Sequence, residues 1–260
     1  MRWGELSWPQ LEALDKEKVV VGPAGSCEQH GRHLPVLTDT FLVAEVAARV
    51  EAELPDDTVF LPPLWLGSSD HHGDFPGTLS ISAALYSEVI QSLTRGLLRA
   101  GFRRIFYLLG HGGNDIPTSQ ALADLSCASD LANAAWLASA CYWSLAEAAI
   151  RPERHGMVQA KLAHACEYET SMLLVVRPEL VETTKAQVAP PVIAGRWWNN
   201  ETGGKVNVFR RFNRLTASGA MGRPQEATPE KGRSLLDAAV GEVVAFRRDS
   251  AHWPDPPVLR

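Results

Sequence analysis

Lys18-Val19-Val20-Val21-Gly22-Pro23-Ala24-Gly25-Ser26-Cys27-Glu28-Gln29-His30-Gly31-Arg32-His33-Leu34-Pro35, followed at once by Thr38-Asp39, decides how this chain is read. Lys18–Pro23 is a short β-branched run closed by turn residues, the pattern of a buried strand. Behind it stand a carboxylate, an imidazole and a second carboxylate, Glu28, His30 and Asp39. Glu28 and His30 are two apart, so an extended backbone sends both side chains to one side. Hard oxygen and borderline nitrogen donors gathered at a strand end suit a divalent metal ion.

Outward from that stretch, strand and helix patterns alternate. Thr38 and Asp39 are placed to cap an apolar, Ala-rich helix running through Leu54. Val59–Leu66 reads as a second strand, stopped by Gly67-Ser68-Ser69. Ala83–Ala100 has helical spacing and ends at Gly101. Arg104–Leu109 is a third strand that runs into Gly110-His111-Gly112-Gly113-Asn114, followed by a helix near Pro117–Ser129 and a strand near Ala134–Tyr142. Such a series predicts an α/β fold, a mostly parallel sheet with helices on both faces, in a single domain over residues 1–260. Ligands of such sheets collect beyond the carboxyl ends of the strands, where the polar motifs of this chain fall. Gly195–Leu215 mixes tryptophan, glycine and arginine without a period and reads as an excursion or short hairpin. Leu235–Phe246 is a last amphipathic helix, and His252–Pro257 an irregular tail.

Composition narrows the classes. A chain of 260 residues, 45% hydrophobic and 21% charged, is long enough for one large core. Its net charge of -5 argues against a nucleic-acid surface. No apolar run approaches the ~18–20 residues of a membrane span, and Met1–Glu5 lacks a signal-peptide pattern. Cys27, Cys127, Cys141 and Cys166 form no CxxC pair, so reduced thiols in the cytoplasm are expected, with Cys27 and Cys166 as small buried filler.

Six of the eight histidines fall in four polar segments. After Glu28-Gln29-His30-Gly31-Arg32-His33 come Asp70-His71-His72-Gly73-Asp74-Phe75-Pro76-Gly77-Thr78-Leu79-Ser80, then His111 in its glycine turn, then His164-Ala165-Cys166-Glu167-Tyr168-Glu169-Thr170-Ser171. Each alone has an ordinary explanation: a hydrogen-bonded loop histidine, a turn needing positive φ, a solvated helix start. Together, at successive strand ends of one sheet, they converge.

These four motifs, in this order, resemble the creatininase (creatinine amidohydrolase) family, and the likeness runs from about Gly4 to about Gly232. The resemblance implies a three-layer αβα sandwich and a metal-dependent amidohydrolase. Its reaction would be hydrolysis of a C–N bond, in a cyclic amide or formamide of a small molecule, by a metal-bound hydroxide. It implies two divalent ions per subunit, Zn²⁺ or Mn²⁺ with Fe²⁺ as a further option, and a homo-oligomer, usually a hexamer, that binds neither nucleic acid nor membrane. Glu28 and His111 would hold one ion and His30 the other, with Asp39 shared. Creatininase completes its site with a glutamate at the position of Gly113; here Glu169 is the expected replacement and Glu167 the fallback. His164 resembles the family's proton-shuttling histidine, the competing role being that of a hydrogen-bond partner. His33, His71 and His72 are read as pocket or supporting residues, and Asn114, Ser80 and Thr78 as loop-positioning ones. Ala160 and Ala163 stand where creatininase has a tryptophan and a glutamate, which makes creatinine doubtful as substrate; Trp143 is the expected pocket tryptophan. Other branches of the family deformylate a ribosylaminopyrimidine phosphate or trim the mycofactocin precursor, so a creatininase-like peptidase is the alternative. A non-catalytic relative is disfavoured by the retained donors. The Gly195–Leu215 loop is expected at a subunit contact or over the site.

Overall fold

The computed structural model describes residues 1–186, 195–199, 203–206 and 208–254. Four parallel strands form the sheet: β1 (Val19–Ala24), β2 (Thr58–Phe60), β3 (Arg104–Leu109) and β4 (Trp136–Cys141), in spatial order β2-β1-β3-β4. Val19 pairs with both Thr58 and Arg104, so β1 and β3 run side by side over six residues and end together. All residues of β1 and β3 are buried, as strands covered on both faces must be.

Side-chain alternation sorts the core into two halves. Val19, Val21, Phe106 and Leu108 face one layer of helices: α1 (Thr38–Glu53), α4 (Glu167–Val176) and α5 (Pro229–Ser250). Val20, Val59, Ile105, Tyr107 and Leu109 face the other: α2 (Ala83–Arg99) and α3 (Asp115–Ala128). The result is the expected αβα sandwich. Thr228 caps α5 by accepting from the Lys231 N–H, with Pro229 at the first helical position.

Three expectations need correction. β2 is shorter than Val59–Leu66, because Pro62 and Pro63 have no N–H to give to a ladder; only Leu64 returns to pair with Pro23, Ala24 and Gly25. Thr38 and Asp39 do not cap α1. Leu37 is its cap residue, Thr38 Oγ1 donates to the Pro35 carbonyl, and the Asp39 carboxylate turns into the protein. The glycines after His111 open a 3₁₀ turn at Gly112–Asn114 and take no positive φ. Within Gly195–Leu215, Trp198–Asn199 pairs antiparallel with Gly203–Gly204 as a short hairpin, while residues 200–202 and 207 of that stretch, and 255–257 of the tail, lie outside the described residues. No described helix is long and apolar enough to cross a membrane.

Candidate metal centre

The β1–α1 connection leaves the sheet at its carboxyl edge and delivers Ser26, Glu28, His30 and Asp39 to one point. Gly25 makes this close approach work: a Cβ there would sit 2.5 Å from the Thr40 Cα. The β3–α3 turn brings His111 from the adjacent strand end, and the first turn of α4 brings Glu169. All five of Glu28, His30, Asp39, His111 and Glu169 are 5% exposed or less.

Asp39 is the hinge of the cluster. Its Oδ1 lies 2.9 Å from His30 Nε2, and its Oδ2 lies 3.0 Å from His111 Nδ1. Potential ligand atoms lie within 4.8 Å of one another in three overlapping groups: His30, Asp39 and Glu169; Glu28, His71 and His111; and Glu28, His30 and His164. The unused ring nitrogens are tied: His30 Nδ1 meets the Glu28 carbonyl at 3.1 Å, and His111 Nε2 meets the Ser68 carbonyl at 3.1 Å. Each ring therefore donates backwards and presents its lone pair to the cluster when neutral. Ser26 Oγ donates to Asp39 Oδ2 at 2.7 Å.

The electrostatics describe a site short of positive charge. Burial alone would lower the His30 pKa, but contact with Asp39 lifts it to about 10. His111 is likewise raised against burial by Glu28 and Asp39. Burial pushes Asp39 upward, yet the two imidazolium rings hold it well below the usual carboxylate range. Burial, with Asp39 and Glu28 nearby, raises Glu169 to about 8 despite the pull of His30. Protons on the two rings thus stand where cations would. Glu28 Oε2 is 3.2 Å from His111 Nδ1 but has no hydrogen-bond partner among the described residues, an orphan that costs roughly 1–3 kcal/mol or more. Buried oxygen and imidazole donors with an unsatisfied carboxylate oxygen fit divalent ions.

The two glutamates of α4 have different surroundings. Glu167 Oε1 is 2.6 Å from Lys231 Nζ, and its carboxylate accepts the N–H groups of Val158 and Gln159. Glu169 accepts the Ala165 N–H, its one hydrogen bond among the described residues, and faces His30 and Asp39. Neither is a solvated helix start. Gly113 has no room for any side chain: a Cβ would lie 2.3 Å from the Ser68 carbonyl oxygen and 2.4 Å from His111 Nε2.

Above the cluster, the His164 ring packs at a tilt against His30 and His72 and edge-on to Phe212, at ring separations of 4.2, 4.4 and 4.7 Å. His164 Nε2 lies 2.7 Å from the Gln29 carbonyl, and Nδ1 lies 3.5 Å from Glu28 Oε1. Burial, reinforced by His30, holds its pKa well below the ordinary histidine value, so the ring is neutral. Nε2–H then donates to Gln29 and Nδ1 is left as a base. Ala165, directly after it, adopts φ 49°, a left-handed conformation that is strained for a residue with a Cβ.

Gln29, unremarked in the sequence, ties the pieces: its Nε2 donates to His72 Nδ1 at 2.8 Å and to the Gly219 carbonyl at 3.1 Å. His71 offers a donor beside Glu28 and His111, more than the pocket role read from sequence, and His72 Nε2 lies 3.4 Å from Glu28 Oε1. His33 lies away from the cavity with Nε2 2.9 Å from Thr170 Oγ1. Asn114 bridges the Gly25 carbonyl and the Ser68 N–H, Ser80 Oγ accepts from Ser69 N–H, and Thr78 Oγ1 accepts from Gln29 N–H, all as loop-positioning residues. The cavity, about 220 Å³, is walled by Trp143, Leu162, Ala163 and Phe212. Phe212 belongs to the Gly195–Leu215 loop, which places that part of it over the site. Its stacking on His72 at 3.8 Å had no periodic signal in the sequence by which to be found.

A family model described as creatinine amidohydrolase matches residues 4–247. The chain belongs to the creatininase family. Among creatininase relatives, it is 32% identical over 225 residues to the mycofactocin precursor peptide peptidase of Mycolicibacterium smegmatis, covering 84% of this chain and 79% of the relative. It is 29% identical over 254 residues to the creatinine amidohydrolase of Pseudomonas putida, covering 91% and 92%. A manganese structure of creatininase superposes with TM-score 0.81 at 24% identity, over 97% of this chain and 99% of that one. A Zn–Zn type of a creatininase mutant matches with the same score. The chain is therefore a creatininase-family hydrolase with a candidate site for metal.

Proposed function

We propose that this chain is a metal-dependent amidohydrolase that cleaves a C–N amide bond, in a cyclic amide or formamide, of a small molecule. The observation that carries this reading is Asp39 between two of the three donor groups, its Oδ1 toward His30 of one and its Oδ2 toward His111 of the other. Glu28 and His111, joined by His71, would hold one ion; His30 and Glu169 would hold the other; Asp39 would be shared. Such ions, when bound, lower the pKa of water and polarise a carbonyl. Manganese and zinc, named for the structural neighbours, are the ions to try.

The chain's own residues supply the rest. His164 takes the proton of the attacking water at Nδ1 and hands it to the departing nitrogen, so that cleavage expels an amine and not an amide anion. Gln29 keeps that nitrogen free by accepting from Nε2. Phe212 and Trp143 exclude bulk water, which strengthens every charge interaction below them. We further take residues 1–260 as one domain of a cytoplasmic homo-oligomer.

The reading is tested by metal analysis of the purified protein. About two divalent ions per chain are expected, with turnover of a lactam or N-formyl compound in a panel where turnover of short peptides alone would favour the peptidase alternative. Less than one ion per chain, and no activity gained on adding Mn²⁺ or Zn²⁺, would refute it.

A further inference from the structure

Gln29 stands between Glu28 and His30, buried, with both ends of its side-chain amide in use. Oε1 accepts the Gly31 N–H at 3.0 Å, and Nε2 donates to the Gly219 carbonyl at 3.1 Å. A backbone N–H only donates and a carbonyl only accepts, so the amide has a single orientation. Gly219 is shaped for this contact: its φ is 85°, and a Cβ there would collide with Gln29 Oε1.

The second proton of Gln29 Nε2 goes to His72 Nδ1, 2.8 Å away. His72 therefore accepts at Nδ1 and carries its own proton on Nε2. Gln29 Nε2 also lies 3.0 Å from His164 Nε2, but that nitrogen gives its proton to the Gln29 carbonyl at 2.7 Å and has no lone pair to offer. One residue thus fixes the tautomer of both rings. Thr78 locks the two main chains together, its Oγ1 accepting the Gln29 N–H at 3.1 Å and donating to the His72 carbonyl at 3.2 Å. The result converges on Glu28 Oε1: His72 shows it an N–H at 3.4 Å, and His164 a lone pair at 3.5 Å.

We propose that Gln29 and His72 are positioning residues that decide which oxygen of Glu28 meets the metal. The His72 N–H holds Oε1. Oε2, which has no hydrogen-bond partner among the described residues and lies 3.2 Å from His111 Nδ1, is left for the ion. Groups that orient a ligand in this way are worth about 10–100-fold in metal affinity. This rests on the metal-dependent amidohydrolase reading above.

Zinc affinity of the chelator-treated full chain, read by competition with a chromophoric chelator, tests this without turnover. His72→Leu keeps an apolar contact for Phe212 but removes the N–H, and should weaken zinc by about 10–100-fold. His72→Gln places an amide nitrogen where Nε2 stands and should stay within about threefold of wild type. Gln29→Met fills the space without a donor and should weaken zinc about tenfold. A role in packing alone would make glutamine at least as damaging as leucine at position 72. Nitrogen spectra of the zinc-loaded wild type, labelled at histidine, should show His72 protonated at Nε2 and bare at Nδ1, the signals being assigned by their absence from His72→Gln. His72 protonated at Nδ1, zinc bound as tightly by His72→Leu as by wild type, or equal losses in His72→Leu and His72→Gln would each overturn the positioning role. Wild type that takes up no zinc overturns the metal-centre reading, and this proposal with it.

Discussion

Replacing Glu167 and Glu169 separately by glutamine should give opposite results. Glu167→Gln keeps the shape and the acceptor for Val158 and Gln159 but leaves Lys231 without its counter-charge, 2.6 Å away and only 16% exposed. Breaking a buried pair costs roughly 3–5 kcal/mol, and the partial exposure of Lys231 favours the lower end, about 3 kcal/mol. In a chain of this size that lowers Tm by roughly 6–12 °C. Glu169→Gln replaces a carboxyl that burial and nearby Asp39 raise to about 8. Without metal, the folded protein must keep a proton there at pH 7 that the unfolded chain releases, a cost that grows as pH rises above about 4.5. The substitution therefore stabilises the metal-free protein, by at most on the order of 3 kcal/mol. Metal content should respond in reverse: unchanged in Glu167→Gln, depleted in Glu169→Gln. Urea unfolding of chelator-treated protein gives the first quantity and elemental analysis after dialysis against Mn²⁺ the second. Metal lost from Glu167→Gln but kept by Glu169→Gln would refute the assignment.

Asp39→Ala should release both ions and all activity, whereas His164→Ala should retain metal and lose turnover by about 10²–10⁴-fold; full activity in either variant removes the role given to that residue. Gly113→Ala should lower metal content and cost roughly 1–3 kcal/mol, since its methyl would displace His111 or the Ser68 carbonyl; an unchanged Tm and metal content would contradict the close packing. Burial, aided by His30, holds the His33 pKa near 4, so unfolding takes up a proton between pH 6.5 and 4, and stability falls as pH drops through that window. In metal-free protein, His33→Gln should remove about 2 kcal/mol of the loss between pH 7 and 5, measured by urea unfolding; an identical pH slope would count against it.

Much of this molecule was legible from local backbone chemistry. The β-branched run before Gly25, the spacing of Glu28 and His30, and the glycine turn at His111 each depend on residues a few positions apart, where period and turn preference operate. The prolines that shorten β2 were equally visible, and their missing N–H groups outweighed the apolar pattern around them. What the chain could not reveal locally depended on partners far away. Glu167 and Glu169 share one helical turn and look alike in sequence; Lys231, brought over by α5, occupies one and leaves the other facing His30 and Asp39. Asp39 read both as a metal donor and as a helix cap, and two imidazoles from different segments drew it inward to the first of these places. Phe212 and Gln29 acquired their places over and beside His164 only when the chain closed. Sequence determined the strands and which donor types stand at their ends, because those are set by neighbours along the backbone. Tertiary structure decided which donors face one another, because charge pairing and burial are settled between residues that meet only in space.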